Sequence, residues 1–369
     1  MKKAVLSLLA TLILWGCTDS TPTGPDVDDF DREAILVNWA DNLISPALTH
    51  FASLTEELNT AASTFSEDPT QQNLDALRDE WLVSYKAWQH VSMFEMGEAM
   101  QLRYRDNLNI YPTDTVEIRN NIEEGSYNLE LPSLNNSQGF PALDYLLYGL
   151  ADSDTDLLSF YTTDVHADAY KAYLTDLTLR IDTLTDTVLE AWTTDFRNDF
   201  VSNSGNGANS SLDMMVNDYI FYYEKALRAG KIGIPAGVFS GSSLSSHVEG
   251  FYSGEFSKEL FLESLDAAQN FFRGTHFATN ETGESLQSYL LFLDTMKDGE
   301  SLVSLINNQF ALARQEAEGL DNNFANQVET DNEKMFTTYD ELQKNVVYLK
   351  VDMLQALNIN VDYVDSDGD

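Results

Sequence analysis

Two short stretches place acid and base groups where they could act together. The apolar stripe Leu74, Leu77, Trp81, Tyr85, Trp88 steps by three or four and continues into Ser92 and Glu95, so two polar side chains fall on a face that should be buried. A carboxylate there needs a partner or a function; the alternative is that the helix emerges from the core at that point. His247 and Glu249 are two residues apart and point the same way only on an extended segment. They form either a ligand pair or two exposed loop residues. Nucleophilic catalysis finds no candidate, because there is no Gly-x-Ser-x-Gly elbow, no phosphate-binding loop and no thiol after Cys17. No H-E-x-x-H run occurs either. His50, His90, His166, His247 and His276 are scattered, which makes a His-rich catalytic zinc site hard to assemble. Asp365, Asp367 and Asp369 are similar to the opening of a calcium loop without its bidentate Glu, and the simpler reading is an acidic tail.

Helices must position these groups. One stripe of helical period runs Leu36, Trp39, Leu43, Ala47, Phe51, Leu54, Leu58, Ala62, Phe65, with Pro46 inside it but off the stripe. Pro46 is expected to bend or interrupt that helix. Further stripes run Tyr170, Tyr173, Leu177, Ile181, Leu184, Val188, Trp192 and Phe336, Tyr339, Leu342, Val346, Leu349, Met353, Leu357. Alternation at period two is short and rare. The expected fold class is all-α: two packed helical bundles of long amphipathic helices. Residues 203–211 are turn-rich and fall near mid-chain, and 278–284 form a second polar loop. The expected divisions are a leader at 1–17, a flexible tether at 18–30, bundles at 31–205 and 206–358, and an acidic tail at 359–369.

The leader expectation rests on Lys2 and Lys3, the apolar run from Ala4 to Trp15, and Leu14-Trp15-Gly16-Cys17, which resembles a bacterial lipobox. Cys17 is the single cysteine, and lipid attachment would account for it. The implied location is the cell envelope, periplasmic or surface-exposed, with membrane contact only through the lipid anchor. Acidic residues number 60 against 21 basic ones, a net charge of −39. Such a surface repels nucleic acid and anionic lipid, so neither is an expected partner.

The most informative stretch is Gly139-Phe140-Pro141-Ala142-Leu143-Asp144-Tyr145-Leu146-Leu147-Tyr148-Gly149. It resembles the signature of the imelysin-like proteins, a Gly-x-His-x-x-Glu run leading into an apolar Leu-Leu-aromatic-Gly end. Pro141 and Asp144 stand at the two polar positions. Other segments match in the family's order: Phe94-x-x-Gly97, Tyr111-Pro112-Thr113-Asp114, Lys231-Ile232-Gly233-Ile234-Pro235-Ala236-Gly237, and Val248-Glu249 followed by Tyr252-Ser253-Gly254.

The resemblance implies a two-domain helical protein, either a metal-dependent peptidase or an iron-regulated envelope protein, with its site between the halves around the Gly-x-His-x-x-Glu element. Pro141 offers no side-chain ligand, and after Gly139 it suits a turn into the first helical position. Asp144 near the first turn is stabilised by the helix dipole without any metal, or keeps a binding role. The resulting expectation is a non-catalytic binder of a metal ion, metal chelate or envelope protein partner in iron acquisition, with Asp144, Glu95, Ser92, Glu249 and His247 as candidate ligands. Their oxygens favour ferric iron or calcium over zinc. A metal-dependent peptidase and an envelope scaffold holding another protein in an inter-bundle groove are the alternatives.

Overall fold

A computed structural model of the chain describes residues 28–279 and 281–363. The leader, Cys17, nearly all of the tether, and Asp365, Asp367 and Asp369 lie outside the described residues.

The protein is all-α, with one two-residue hairpin pairing Met296–Lys297 with Glu300–Ser301. The hairpin turn is Asp298-Gly299, both at positive φ, the turn chemistry that a two-residue connection requires. Ser45–Glu67 packs against both Gln71–Val91 and Ala167–Ala191, while Ser257–Arg273 packs on Gln71–Val91. Leu302–Glu318 lies against Asn332–Val346, which in turn covers the π-type segment Tyr222–Gly233.

The stripes decide these contacts. Every residue of the first three is buried, and the fourth is buried from Tyr339 onward. Phe336 departs from it, at 40% exposed, because Met335 fills the inward position instead. Met335, Tyr339, Leu342 and Val346 keep the i, i+4, i+7 spacing of one helix face. Helix starts are capped by side chains that accept otherwise orphaned N–H groups: Thr70 from Asn73, Asp114 from Val116 and Glu117, and Ser210 from Asp213.

Pro46 interrupts the first long helix, and the mechanism is visible. Hydrogen bonding turns π-type over Trp39–Ile44, and α geometry resumes at Ser45. Lacking an N–H, Pro46 leaves the Asn42 carbonyl without its helical partner. That carbonyl accepts from the Phe277 N–H at 2.7 Å instead.

Residues from Asp31 on form one compact unit. Helices from both sides of the expected division at 205/206 share it. Trp39 stacks on Phe271 with ring centroids 4.5 Å apart, and Arg32 donates to the Tyr289 hydroxyl at 2.7 Å.

Candidate binding cleft

The mid-chain signature folds as a helical turn, Gly139–Asp144, continuing into a π-type turn, Tyr145–Gly149. Gly139 has φ +77°, and an added Cβ would sit 2.2 Å from the Leu108 carbonyl oxygen, so no other residue fits there. Gly149 is small for a different reason: a Cβ there would meet the Tyr252 ring at 2.3 Å. Pro141 is buried at the third helical position rather than the first.

Asp144 is likewise not at a first turn. It closes the segment, is 2% exposed, and turns away from its own helix to accept from the N–H groups of Tyr252 at 2.8 Å and Ser253 at 2.9 Å. Burial pushes its carboxyl up to about 6, against the two backbone donors that pull it down. Asp144 therefore pins the turn that follows Glu249.

Glu249 is 2% exposed and heads a closed polar network. Lys231, itself 3% exposed, is its ion-pair partner. Asn109 Nδ2 donates to Glu249 at 2.7 Å and Gln89 Nε2 at 3.3 Å. The Tyr85 hydroxyl donates to Asn109 Oδ1 at 2.6 Å, and Lys231 Nζ to Gln89 Oε1 at 3.0 Å. Burial lowers the lysine's proton affinity, and the adjacent carboxylate opposes that shift.

This network backs a cleft of about 230 Å³. Its lining includes Ser92, Arg105, Tyr111, Lys231 and His247, and no carboxylate. Trp88 and Tyr222 also line it, and both are fully or almost fully buried, at 0% and 1%. Trp88 Nε1 has no hydrogen-bond partner, while the Tyr222 hydroxyl has the hydroxyls of Ser92 and Ser264 as polar neighbours. A buried donor left unmet costs about 1–3 kcal/mol, so Trp88 Nε1 is a demand for an acceptor at the cleft.

The remaining expected residues divide. Ser92 is the C-cap of Gln71–Val91, and its carbonyl accepts from Arg105 Nε at 2.7 Å. His247 ends a short 3-10 turn at the cleft edge, its Nδ1 3.3 Å from Ser246 Oγ. Glu95 lies on the far side of Arg105, accepts from that residue's N–H at 3.1 Å, and lines a different groove. Burial raises its carboxyl to about 7. The structure thus gathers Ser92, His247 and, behind Lys231, Glu249, while Glu95 and Asp144 stand apart from the cleft lining. Among the described residues no group of three or more His, Cys, Asp or Glu is arranged to hold a metal ion.

The imelysin family model matches residues 44–353, most of the chain. The chain belongs to the imelysin family. An imelysin-like protein from Psychrobacter arcticum superposes with a TM-score of 0.70 at 18% identity, covering 91% of this chain and 99% of that one. A protein provisionally named an iron-regulated protein A precursor, from Parabacteroides distasonis, gives 0.71 at 16% identity, covering 90% and 96%. At those identities the likeness is one of fold. Iron-regulated protein A of Synechococcus elongatus is 24% identical over 130 residues, 34% of this chain and 35% of that protein. The matched part is about a third of that relative's length. Within this imelysin-family chain, the cleft residues that pattern reasoning did not select as ligands are Gln89, Arg105, Asn109, Tyr111, Tyr222 and Lys231. Lys231 carried a signal: it is a basic residue in a stretch where Leu227 and Ile232 are apolar.

Proposed function

We propose that this imelysin-family protein is a binding protein, and that its cleft receives a small acceptor-rich ligand, such as a ferric chelate bearing carboxylates, in iron acquisition. The observation that carries this is the donor-rich lining: Lys231, Arg105, the Tyr222 hydroxyl and the unmet Trp88 Nε1, with no acid among the described lining residues. Both cations are already paired, Lys231 with Glu249 and Arg105 with Asp218, so in a chain of net charge −39 the cleft is close to neutral. Glu249 is already neutralised by Lys231, and Asp144 is committed to two backbone donors, which favours a chelate over a bare cation. A relative named for iron regulation supports the context. The working location is the cell envelope, with Cys17 as lipid anchor, so Cys17→Ser should move the protein from the membrane to the soluble fraction.

Calorimetric titration with ferric citrate, and with citrate alone, tests the reading. Tyr222→Phe should weaken ferric citrate binding about five- to tenfold, the worth of one buried hydrogen bond, in a variant that remains folded by circular dichroism. No binding to the unaltered protein, or an unchanged isotherm in Tyr222→Phe, would overturn it. Chelator-sensitive cleavage of an unfolded polypeptide by the pure protein would do so as well.

A further inference from the structure

A second concavity, separated from the cleft by the Arg105–Asp218 ion pair, has the opposite character. It encloses about 730 Å³, within the usual range for small-molecule sites. Its lining comes from Glu98–Leu102, Trp192–Phe196, Ser211–Phe221 and residues Asp362 and Tyr363. Three carboxylates, Glu95, Glu98 and Asp218, are partly buried in its wall, and Asp195, Asp199 and Asp362 are exposed. No Lys, Arg or His belongs to the described lining.

Apolar side chains separate these acids. Met100 is 55% exposed and Met214 36%, both facing solvent where a soluble surface gains nothing from them. Phe196, Phe221 and Tyr363 add aromatic rings to the same lining. Thioethers adapt to irregular apolar shapes, and ring faces attract cations.

We propose that this groove is a second binding site, for a protonated organic amine carrying an apolar body. Charge complementarity selects the cation, and the Met and Phe surfaces select its body. A bare metal ion fits poorly, because among the described residues no three acids or histidines converge on one point, whereas an ammonium needs only one carboxylate at hydrogen-bond distance. Glu95 is the natural one. Its hydrogen bonds come from a single backbone N–H, that of Arg105, at 3.1 and 3.3 Å from its two oxygens. Asp218 is more fully engaged, accepting from Arg105 Nη2 at 3.1 Å and from the Glu95 N–H at 2.7 Å. Burial raises the proton affinity of the Glu95 carboxyl, and the nearby Arg105 charge opposes that rise without cancelling it.

The probe is 1-naphthylmethylamine, titrated by calorimetry at physiological salt beside the neutral 1-naphthylmethanol and the anionic 1-naphthylacetate. The amine should bind at one site and at least about tenfold more tightly than the alcohol, the acetate not measurably. Glu95→Gln should remove most of that preference. The exposed pair Asp195→Asn/Asp199→Asn, which leaves the fold untouched, should weaken the amine about threefold. Met100→Ser/Met214→Ser should weaken amine and alcohol alike, and Tyr222→Phe should change neither. Equal binding of amine and alcohol, absence of amine binding, or an amine affinity indifferent to both Glu95→Gln and the aspartate pair would overturn the proposal.

Discussion

Replacing Lys231 with Met isolates what the buried pair contributes. The substitution keeps much of the side chain's volume but strands Glu249, which is 2% exposed, with only the Asn109 and Gln89 amides as donors. Breaking one side of a buried ion pair costs about 3–5 kcal/mol, chiefly the penalty of the uncompensated charge. Unfolding entropy is about 2.1 cal/mol/K per residue, or about 0.7 kcal/mol/K for roughly 330 ordered residues, so Tm should fall by about 4–7 °C. Adding Glu249→Gln removes the stranded charge yet keeps an acceptor for Asn109, and should recover more than half of the loss. Differential scanning calorimetry on the wild type, both single variants and the double variant gives the coupling. A Lys231→Met protein within 1 °C of wild type, or a double variant no more stable than that single one, would refute the assignment of Glu249 to a structural ion pair.

Further outcomes follow from the same geometry. Asp144→Ala should cost about 2–4 kcal/mol in urea unfolding, because the N–H groups of Tyr252 and Ser253 lose their acceptor, and should leave ferric citrate affinity unchanged. Gly139→Ala should fail to give folded protein, or unfold at much lower urea, since both its φ and the Leu108 carbonyl oppose a Cβ. The raised carboxyls of Glu95, to about 7, and Asp144, to about 6, bind protons more tightly folded than unfolded. Their contribution is therefore complete below about pH 4 and is lost as pH rises through about 6 for Asp144 and about 7 for Glu95. Glu95→Gln should flatten the pH dependence of the urea midpoint over that window, by at most about 3 kcal/mol.

The helical architecture was legible because burial imposes a 3.6-residue period on Leu36 to Phe65, Leu74 to Trp88 and Tyr170 to Trp192. Phe336 misled because Met335, one residue earlier, fits the same period and takes the inward place. The cleft was legible only in fragments. Ser92 could be found because a polar residue interrupted an apolar stripe, and Lys231 stood in a matched segment without any sign of its partner 18 positions later. The role of Asp144 was hidden, since its donors are the N–H groups of Tyr252 and Ser253, 108 and 109 positions away. Periodicity reports which face is buried; it carries nothing about which backbone amide a distant loop will present. The unmet Trp88 donor is invisible for the same reason, because it looks like an ordinary core aromatic on a stripe.

The proline in the first long helix ties two distant parts of the molecule into one variable. The Asn42 carbonyl, which Pro46 cannot engage, accepts from the Phe277 N–H and ties the segment carrying Phe277 to that helix. Phe277 also lies between two histidine rings, His50 and His90, each with its centroid 5.7 Å away. An amide restored at position 46 would compete with the Phe277 N–H for that carbonyl, so the break in the rod is also a mooring of the loop.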